Sequence, residues 1–203
     1  MTTLRPFRSE DLEALYAISL ATGREGGDAS ALHADPRLIG HIYSAPYALL
    51  EPDLALVATD EIGVAGFVVG TLDTVAWAAR LERDWWPALR RTYADPGEAA
   101  SDADRRRIAM IHQPVAAPTD VTSTYPAHLH LNLLPRAQGR GIGTRLLSAW
   151  LGKAVQAGVG SIHVGVNRRN ARAAGFWSAK GFADLFPRES LGRTRWMGRT
   201  LRA

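Results

Sequence analysis

The sequence predicts an α+β fold: a central mixed, twisted β-sheet with helices on both of its faces. Two observations lead to this class. A short apolar run that ends at Leu134 passes through a glycine-rich turn straight into an amphipathic helix, residues 144–157. A β-branched run, residues 161–166, is again followed by a helical pattern. Both units set a helix directly beside a strand.

Further strands are expected at both ends of the chain and before its middle. Residues 3–6 form the first strand, and residues 196–199 alternate apolar and polar side chains as a final strand does. Residues 54–59 and 64–71 form a hairpin around a short turn. These strands and the two units above account for one sheet.

The middle of the chain contains two further features. Gly66 and Gly70, inside a predicted strand, indicate a bulge or a close approach of two backbones. Over residues 73–124 we expect a helical insertion, because apolar residues recur there at helical spacing, and Pro87 should break or restart its first helix. A length of 203 residues fits one domain, so residues 1–203 are expected to form a single domain that carries this insertion.

Composition excludes several classes of protein. Hydrophobic residues make up 46% and charged residues 22% of the chain, as in ordinary globular proteins. Because there is no cysteine, neither a disulfide nor a thiol nucleophile is available. No apolar run approaches the ~18 residues of a membrane span, and charged residues interrupt the segment where a signal peptide would lie. The sequence therefore predicts a cytoplasmic protein with no membrane partner.

The glycine-rich turn carries the strongest signal. Its pattern Gly139-x-Gly141-x-Gly143 offers several backbone N–H groups at a helix N-terminus, where the helix dipole favours an anion. The spacing is neither that of a dinucleotide-binding loop nor that of a Walker A loop. A tight turn without any ligand is the alternative that the spacing leaves open.

The distribution of charge helps to choose between an anion-binding turn and a turn without a ligand. Residues 121–183 contain eight Lys or Arg and no Asp or Glu. The whole chain has 24 basic and 20 acidic residues, so the remainder holds 16 basic residues against 20 acidic ones. A solvated basic face stays open, but a one-signed segment around an anion-cradling turn favours a polyanionic ligand. Nucleic acid is not favoured, since zinc-ligand spacing, RNA-recognition aromatics and a lysine-rich tail are all missing.

A second motif follows the strand at residues 161–166. Asn167 or Asn170 can cap the helix beyond it, and Gly181 sits where that helix should end. Taken with the glycine-rich turn, this motif resembles the GCN5-related N-acetyltransferase (GNAT) superfamily. The residues that carry the resemblance form two blocks in the superfamily's order: Leu133, Pro135, Gln138, Gly139, Gly141 and Gly143, then Asn170, Ala173, Phe176, Trp177, Gly181 and Phe182.

Two other segments carry a narrower resemblance. Residues 83–87 and 125–131 are similar to the acetyltransferase-like C-terminal domain of O-GlcNAcases and to its stand-alone bacterial relatives. The resemblance implies a GNAT-like fold whose sheet is splayed at the cofactor-binding strand, near Pro135, so that the cofactor can enter between strands.

The resemblance also implies that acetyl-CoA is the cofactor, used as acyl donor without a metal. Backbone groups of residues 131–133 would hold the pantetheine arm and polarise the thioester carbonyl, and residues 139–144 would cradle the pyrophosphate. Asn170 would contact pantetheine, and Arg172 or Lys180 would meet the 3′-phosphate. The full predicted set is Leu131, Asn132, Leu133, Gln138, Gly139, Arg140, Gly141, Ile142, Gly143, Thr144, Asn170, Ala173, Phe176, Trp177 and Lys180.

The catalytic residues are less well defined. Superfamily members often have a tyrosine where this chain has Trp177, and a carboxylate base on a central strand where this chain has none. His128, His130 and Asn132 alternate along one strand and so share a face. The candidate bases are His130, with an expected ionisation near pH ~6–7, and Asp120, just before the strand. The His-x-His pair is not predicted to bind a metal, because a third ligand is missing nearby.

Two functions agree with these features. The first is an N-acetyltransferase, in which a neutral amine attacks the thioester of acetyl-CoA directly. The second is an acyl-CoA-binding pseudo-acetyltransferase that recognises a partner without turnover, and Trp177 together with the missing carboxylate favours it. The sequence does not identify the acceptor, an amine or a peptide, and it leaves a homodimer open.

Overall fold

A computed structural model describes residues 1–94, 100–186 and 192–201. Within these ranges seven strands form one sheet: β1 (Thr3–Pro6), β2 (Leu56–Asp60), β3 (Gly63–Thr71), β4 (Ala127–Leu133), β5 (Ser161–Asn167), β6 (Ala183–Asp184) and β7 (Thr194–Thr200). Their order across the sheet is β1-β2-β3-β4-β5-β7-β6. Neighbouring strands are antiparallel except β4 and β5, which are parallel. The predicted mixed sheet of an α+β fold is confirmed.

Helices cover this sheet. Those of the described residues are α1 (Leu12–Ala21), α2 (Leu38–Tyr43), α3 (Ala45–Leu50), α4 (Thr74–Asp84), α5 (Trp86–Thr92), α6 (Asp102–His112), α7 (Thr119–Thr122), α8 (Ile142–Gln156) and α9 (Ala171–Ala179). Asp73 starts α4, because its carboxylate accepts hydrogen bonds from the N–H groups of Val75 and Ala76 at 2.9 and 3.0 Å. Pro87 lies in the first turn of α5 and separates it from α4, as predicted.

Alternation along the strands creates two hydrophobic cores, one on each face of the sheet. In β2, Leu56 and Ala58 belong to the core beneath α8 and α9, whereas Val57 between them belongs to the core beneath α1–α6. Trp150 of α8 is fully buried in the first core. Helices therefore lie on both faces, as the sequence predicts. None of the helices in the described ranges has the length and apolar character that a bilayer span requires.

Strands β3 and β4 approach each other closely at two glycines. A Cβ at Gly70 would lie 2.3 Å from the His128 carbonyl oxygen and 2.7 Å from the Trp150 ring, and one at Gly66 would lie 2.2 Å from the Leu133 side chain. The register of β2 against β3 also shifts beside Gly66. Both expectations for these glycines, the bulge and the close approach, are therefore met.

The sheet opens between β4 and β5. Their parallel pairing covers only Ala127–His128 against Ile162–His163. Beyond this point β5 stays paired with β7 along its whole length, and β4 stays paired with β3. The predicted splay is thus confined to one gap, bordered by residues 129–133 of β4 on one side and the end of β5 on the other.

We expect Gly70→Ala to lower the free energy of unfolding by about 3 kcal/mol, because the added Cβ would force β3 and β4 apart. Gly152 provides a matched control, since it is exposed on α8 with open space where a Cβ would stand. Gly152→Ala should stabilise the protein by about 1 kcal/mol through helix propensity. Urea unfolding measures both changes, and equal stability of the two variants would contradict the close approach.

Candidate active site

The glycine-rich turn leaves a row of free donors at the start of α8. The helix begins at Ile142, two residues before its predicted start, and Gly141 just ahead of it has a left-handed φ of +75°. Gly139 also has a positive φ, of +71°. The N–H groups of residues 139–144 donate no hydrogen bond to any residue within the described ranges. Consecutive free donors at a helix N-terminus are the geometry that binds an anion.

Residues of the two predicted blocks meet beside this turn. Gln138 Nε2 donates a hydrogen bond to the Leu133 carbonyl at 2.7 Å, which holds the turn against the end of β4. A Cβ at Gly143 would lie 3.3 Å from Leu133 Cδ1 and 3.4 Å from the Phe176 ring. The small size of Gly143 therefore lets β4, α8 and α9 meet. The side chains of Leu133 and Phe176 lie against Gly143 behind the turn.

Helix α9 begins at the same gap. Asn170 Oδ1 accepts a hydrogen bond from the Ala173 N–H at 2.9 Å, so Asn170 caps the helix, one of the two predicted choices. Trp177 is 7% exposed and packs edge-on against Phe176. Lys180 lies at the other end of α9, about 15 Å along the helix from Asn170. Of the predicted α9 set, Asn170 and Ala173 lie nearest the start of the helix, and Lys180 lies a helix length away.

The basic residues of the acid-free segment are not equivalent. Arg136 is bound to Asp60 at 2.8 Å, and Arg145 donates a hydrogen bond to a backbone carbonyl near the N-terminus. Arg140 and Arg172 are exposed, and neither forms an ion pair or hydrogen bond with a residue of the described ranges. Arg140, set between two glycines, is therefore the cation that the turn itself presents to an anion.

Strand β4 presents an unpaired backbone edge to the gap. The N–H of Leu134 donates to the Ala65 carbonyl, so even-numbered residues at this end of β4 direct their backbone groups toward β3. The backbone groups of Leu131 and Leu133 therefore point the other way, into the gap. The backbone of Asn132 faces β3. Of the three strand residues predicted to hold the cofactor through backbone groups, Leu131 and Leu133 are in position to do so.

Three histidines gather where β4 and β5 separate. His128 and His163 are the last paired residues of the two strands, with ring centres 5.4 Å apart, and the ring of His130 lies 5.8 Å from that of His128. Tyr47 of α3 lies against both residues of β4. Its hydroxyl oxygen is 2.7 Å from His128 Nε2 and 3.3 Å from His130 Nε2.

Burial keeps these histidines neutral. It lowers the pKa of His130 to about 4, with a smaller contribution from His163. Burial also brings the pKa of His128 well below its usual value, with smaller contributions from the other two histidines, and it lowers the pKa of His163. The predicted ionisation of His130 near pH 6–7 is therefore wrong, because exclusion of water disfavours the imidazolium.

Sequence reasoning missed the residues around His130. Tyr43 in α2 and Tyr47 in α3 place their ring centres 5.5 and 5.2 Å from that of His130. Thr74, at the start of α4, has its hydroxyl 2.6 Å from His128 Nδ1. These residues are separated from the histidines by 54 positions or more in the chain, so no local pattern joins them.

The loop after α1 brings one carboxylate across the gap. Glu25 and Gly26 form the tip of a tight turn, with φ values of +55° and +93°. The Cβ position of Gly26 is 3.3 Å from Asn170 Nδ2, and Glu25 Oε1 is 4.0 Å from Arg169 Nη1. An acidic group from outside the acid-free segment thus lies beside the start of α9.

The remaining candidate base, Asp120, lies exposed in α7, ahead of β4. It stays a prediction. Within residues 1–94, 100–186 and 192–201, no three His, Asp or Glu side chains are arranged to hold a metal ion.

A model of the Acetyltransferase (GNAT) family matches residues 28–182, which is most of the chain. The protein therefore belongs to the GNAT acetyltransferase family, and the prediction made from its two motifs is confirmed.

Individual relatives agree with this assignment. The chain is 20% identical over 201 residues to protein O-GlcNAcase of Rattus norvegicus, and the match covers 95% of this chain but 22% of that protein. The crystal structure of SsHAT has 33% sequence identity, a TM-score of 0.88 and coverage of 98% of both chains. The structure of yncA from Salmonella typhimurium, solved with its cofactor acetyl-CoA, is 18% identical with a TM-score of 0.57, covering 100% of this chain and 95% of that one. The O-GlcNAcase match is consistent with the narrower resemblance seen in the sequence.

Gly141→Val should abolish binding of acetyl-CoA, the implied cofactor, and leave the protein folded. A branched side chain is strained at the left-handed φ of Gly141, by about 1–2 kcal/mol, and it would stand where an anion approaches the free N–H groups. Apart from the chain neighbours of Gly141, no atom of the described residues lies within 4 Å of the Cβ position, so packing is not disturbed. Calorimetry measures binding and circular dichroism the fold.

Gly141→Asn is the matched control, because asparagine tolerates the left-handed region. Binding retained by Gly141→Asn and lost by Gly141→Val would assign the effect to the backbone conformation at Gly141 and to the branch at Cβ. Parent-like affinity of Gly141→Val would show that this turn does not hold the cofactor.

The free energy of unfolding should fall as the pH is lowered from 7 to 5. The unfolded histidines bind protons near pH ~6.5, whereas folded His130 does so only near pH 4. The unfolded state therefore binds more protons in this window, and stability decreases with acid. Urea titrations at both pH values measure the change, and His130→Gln should reduce it. A stability that is constant from pH 7 to 5 would contradict the depressed pKa values.

Proposed function

We propose that the protein is an acetyl-CoA-dependent N-acetyltransferase that transfers the acetyl group to an amine by direct attack. The observation that carries this proposal is the gap between β4 and β5, where an unpaired strand edge ends beside the free N–H donors of α8. Membership of the GNAT family supports the same activity and the same cofactor.

Two sets of groups around the gap support this proposal. Residues 139–144, with Arg140 among them, offer backbone donors and a positive charge to the pyrophosphate. Leu131 offers its N–H and carbonyl groups, and Leu133 its N–H, to the amides of pantetheine, as a strand edge does to an added strand. A backbone N–H of this edge is also suited to polarise the thioester carbonyl. When bound, acetyl-CoA supplies the activated acyl carbon.

His130 is the base of this proposal. It is neutral at physiological pH because burial lowers its pKa to about 4. His130 is one of the β4 residues that border the gap, and its side chain projects from one face of the sheet. As the amine nitrogen bonds to the acyl carbon it becomes far more acidic than a free ammonium ion, so a weakly basic imidazole can take its proton. Coenzyme A leaves as a thiolate, for which an acid is not required, so Trp177 does not prevent turnover.

A pseudo-acetyltransferase that binds acyl-CoA without turnover is the second candidate. Trp177 favours it, because the indole in the position of the superfamily's tyrosine cannot donate a proton near neutral pH. The lack of any carboxylate in residues 121–183 points the same way. Both candidates need the same cofactor cleft, and only the first needs an acceptor to reach His130.

The test is release of free thiol from acetyl-CoA with a panel of small amines and peptides as acceptors. His130→Ala should lower kcat/KM by about 100-fold and leave the affinity for acetyl-CoA unchanged. The pH profile should show no ionisation of His130 between pH 6 and 8. A parent protein that binds acetyl-CoA and releases no thiol with any acceptor would favour the pseudoenzyme. Full activity of His130→Ala would exclude His130 and leave Asp120 as the candidate base.

A further inference from the structure

A chain of hydrogen bonds leads from the backbone before β4 to His130. Thr74 Oγ1 lies 2.6 Å from the Pro126 carbonyl oxygen and 2.6 Å from His128 Nδ1. His128 Nε2 lies 2.7 Å from the Tyr47 hydroxyl, and that hydroxyl lies 3.3 Å from His130 Nε2. The linked side chains come from α4, β4 and α3, so the arrangement exists only in the folded protein.

Each bond in this chain has only one direction available. The Pro126 carbonyl can only accept, so Thr74 donates its hydroxyl proton there and accepts from His128 Nδ1. Neutral His128 then has no proton on Nε2, which accepts from the Tyr47 hydroxyl. The Tyr47 oxygen in turn accepts from His130 Nε2.

We propose that Thr74, His128 and Tyr47 are positioning residues. They hold His130 in the tautomer that carries its proton on Nε2 and leaves Nδ1 unprotonated. Nδ1 of His130 forms no hydrogen bond with a residue of the described ranges, and it is not one of the fully buried polar atoms that lack a partner. Nδ1 is therefore unpartnered within those ranges and not fully enclosed, as a base must be if an acceptor is to reach it. The catalytic meaning of this tautomer rests on the proposed role of His130 as the base.

The proton transfer balances in this arrangement. The N–C bond forms and the C–S bond breaks, the sulfur keeps the electron pair, and the amine proton moves to Nδ1 of His130. The imidazolium that results still donates from Nε2 to Tyr47. In the opposite tautomer Nδ1 would already carry a hydrogen and could not accept the proton.

The side chains that contact or lie beside His130 in the described ranges carry no charge. Tyr43 and Tyr47 contact its ring from α2 and α3, His128 lies beside it on β4, and His163 lies beyond on β5. The only guanidinium hydrogen-bonded to this group in the described ranges belongs to Arg107 of α6, which donates to the Tyr43 hydroxyl at 2.7 Å. No carboxylate of those ranges bonds to these rings, so the hydrogen-bond chain sets the tautomer.

Nitrogen NMR of the histidine side chains reads the tautomer and requires no acceptor. At pH 7 we expect His130 to carry its proton on Nε2 and His128 to carry its proton on Nδ1. Tyr47→Phe keeps the ring and removes the hydroxyl, so His130 should become a mixture of tautomers. Tyr43→Phe is the matched control, because Tyr43 contacts the same ring without a hydrogen bond to it, and the tautomer of His130 should not change.

Kinetics test Thr74, the residue farthest from His130 in the series of hydrogen bonds. Thr74→Val removes the hydroxyl and Thr74→Ser keeps it. With an acceptor that supports thiol release, kcat should fall about 10-fold in Thr74→Val and in Tyr47→Phe, with the KM for acetyl-CoA unchanged. Thr74→Ser should keep the parent rate.

Two results would overturn the proposal: a proton on Nδ1 of His130 in the parent, or a tautomer of His130 that stays the same in Tyr47→Phe. These outcomes do not depend on activity. Full transfer by His130→Ala would instead remove the proposed function of His130, and the NMR result would still decide the tautomer.

Discussion

The separation of β5 from β4 after His128 is the constraint on which the rest of the site depends. Inside a sheet every backbone N–H and carbonyl normally has a partner, and a missing neighbour leaves them to be satisfied by something else. Here the missing neighbour leaves the edge groups of Leu131 and Leu133 facing an open gap. An extended ligand with amide groups can complete that edge in place of a strand. The gap is therefore the place where the fold leaves backbone hydrogen bonds unmade, and it is the proposed cofactor site for that reason.

The other side of β4 is closely packed against β3, and the opening is confined to the gap beside β5. Gly66 and Gly70 let β3 approach β4 so closely that no side chain would fit between them. Gly143 likewise admits Leu133 and Phe176 next to the first turn of α8. Close packing of β4 against β3, and of the first turn of α8 against Leu133 and Phe176, keeps the turn and the strand edge in a fixed relative position. Small residues thus fix the position of the candidate site without contributing a side chain to it.

The histidine cluster shows how an apolar environment determines chemistry. Water would stabilise an imidazolium, but burial against the core beneath α1–α6 limits it and lowers the pKa of His130 to about 4, so that this ring is neutral. A neutral imidazole has one donor and one acceptor nitrogen, so each ring must find partners of matching type. Tyr47 and Thr74 provide them with hydroxyl groups, which can both donate and accept.

The sequence by itself determined the features that depend on residues a few positions apart. The glycine-rich turn before α8, an asparagine cap of α9 at either Asn167 or Asn170, and the shared face of His128 and His130 follow from local geometry and backbone preference. The order of the two motifs was enough to identify the GNAT family.

Only the tertiary structure decided which atoms can act. The register of β3 against β4 directs the backbone of Asn132 away from the gap and that of Leu131 into it. Tyr47 and Thr74 reach the histidines from helices more than fifty residues earlier in the chain. The low pKa of His130 arises from burial by such distant residues, because the solvation of a group depends on everything packed around it and not on its neighbours in sequence.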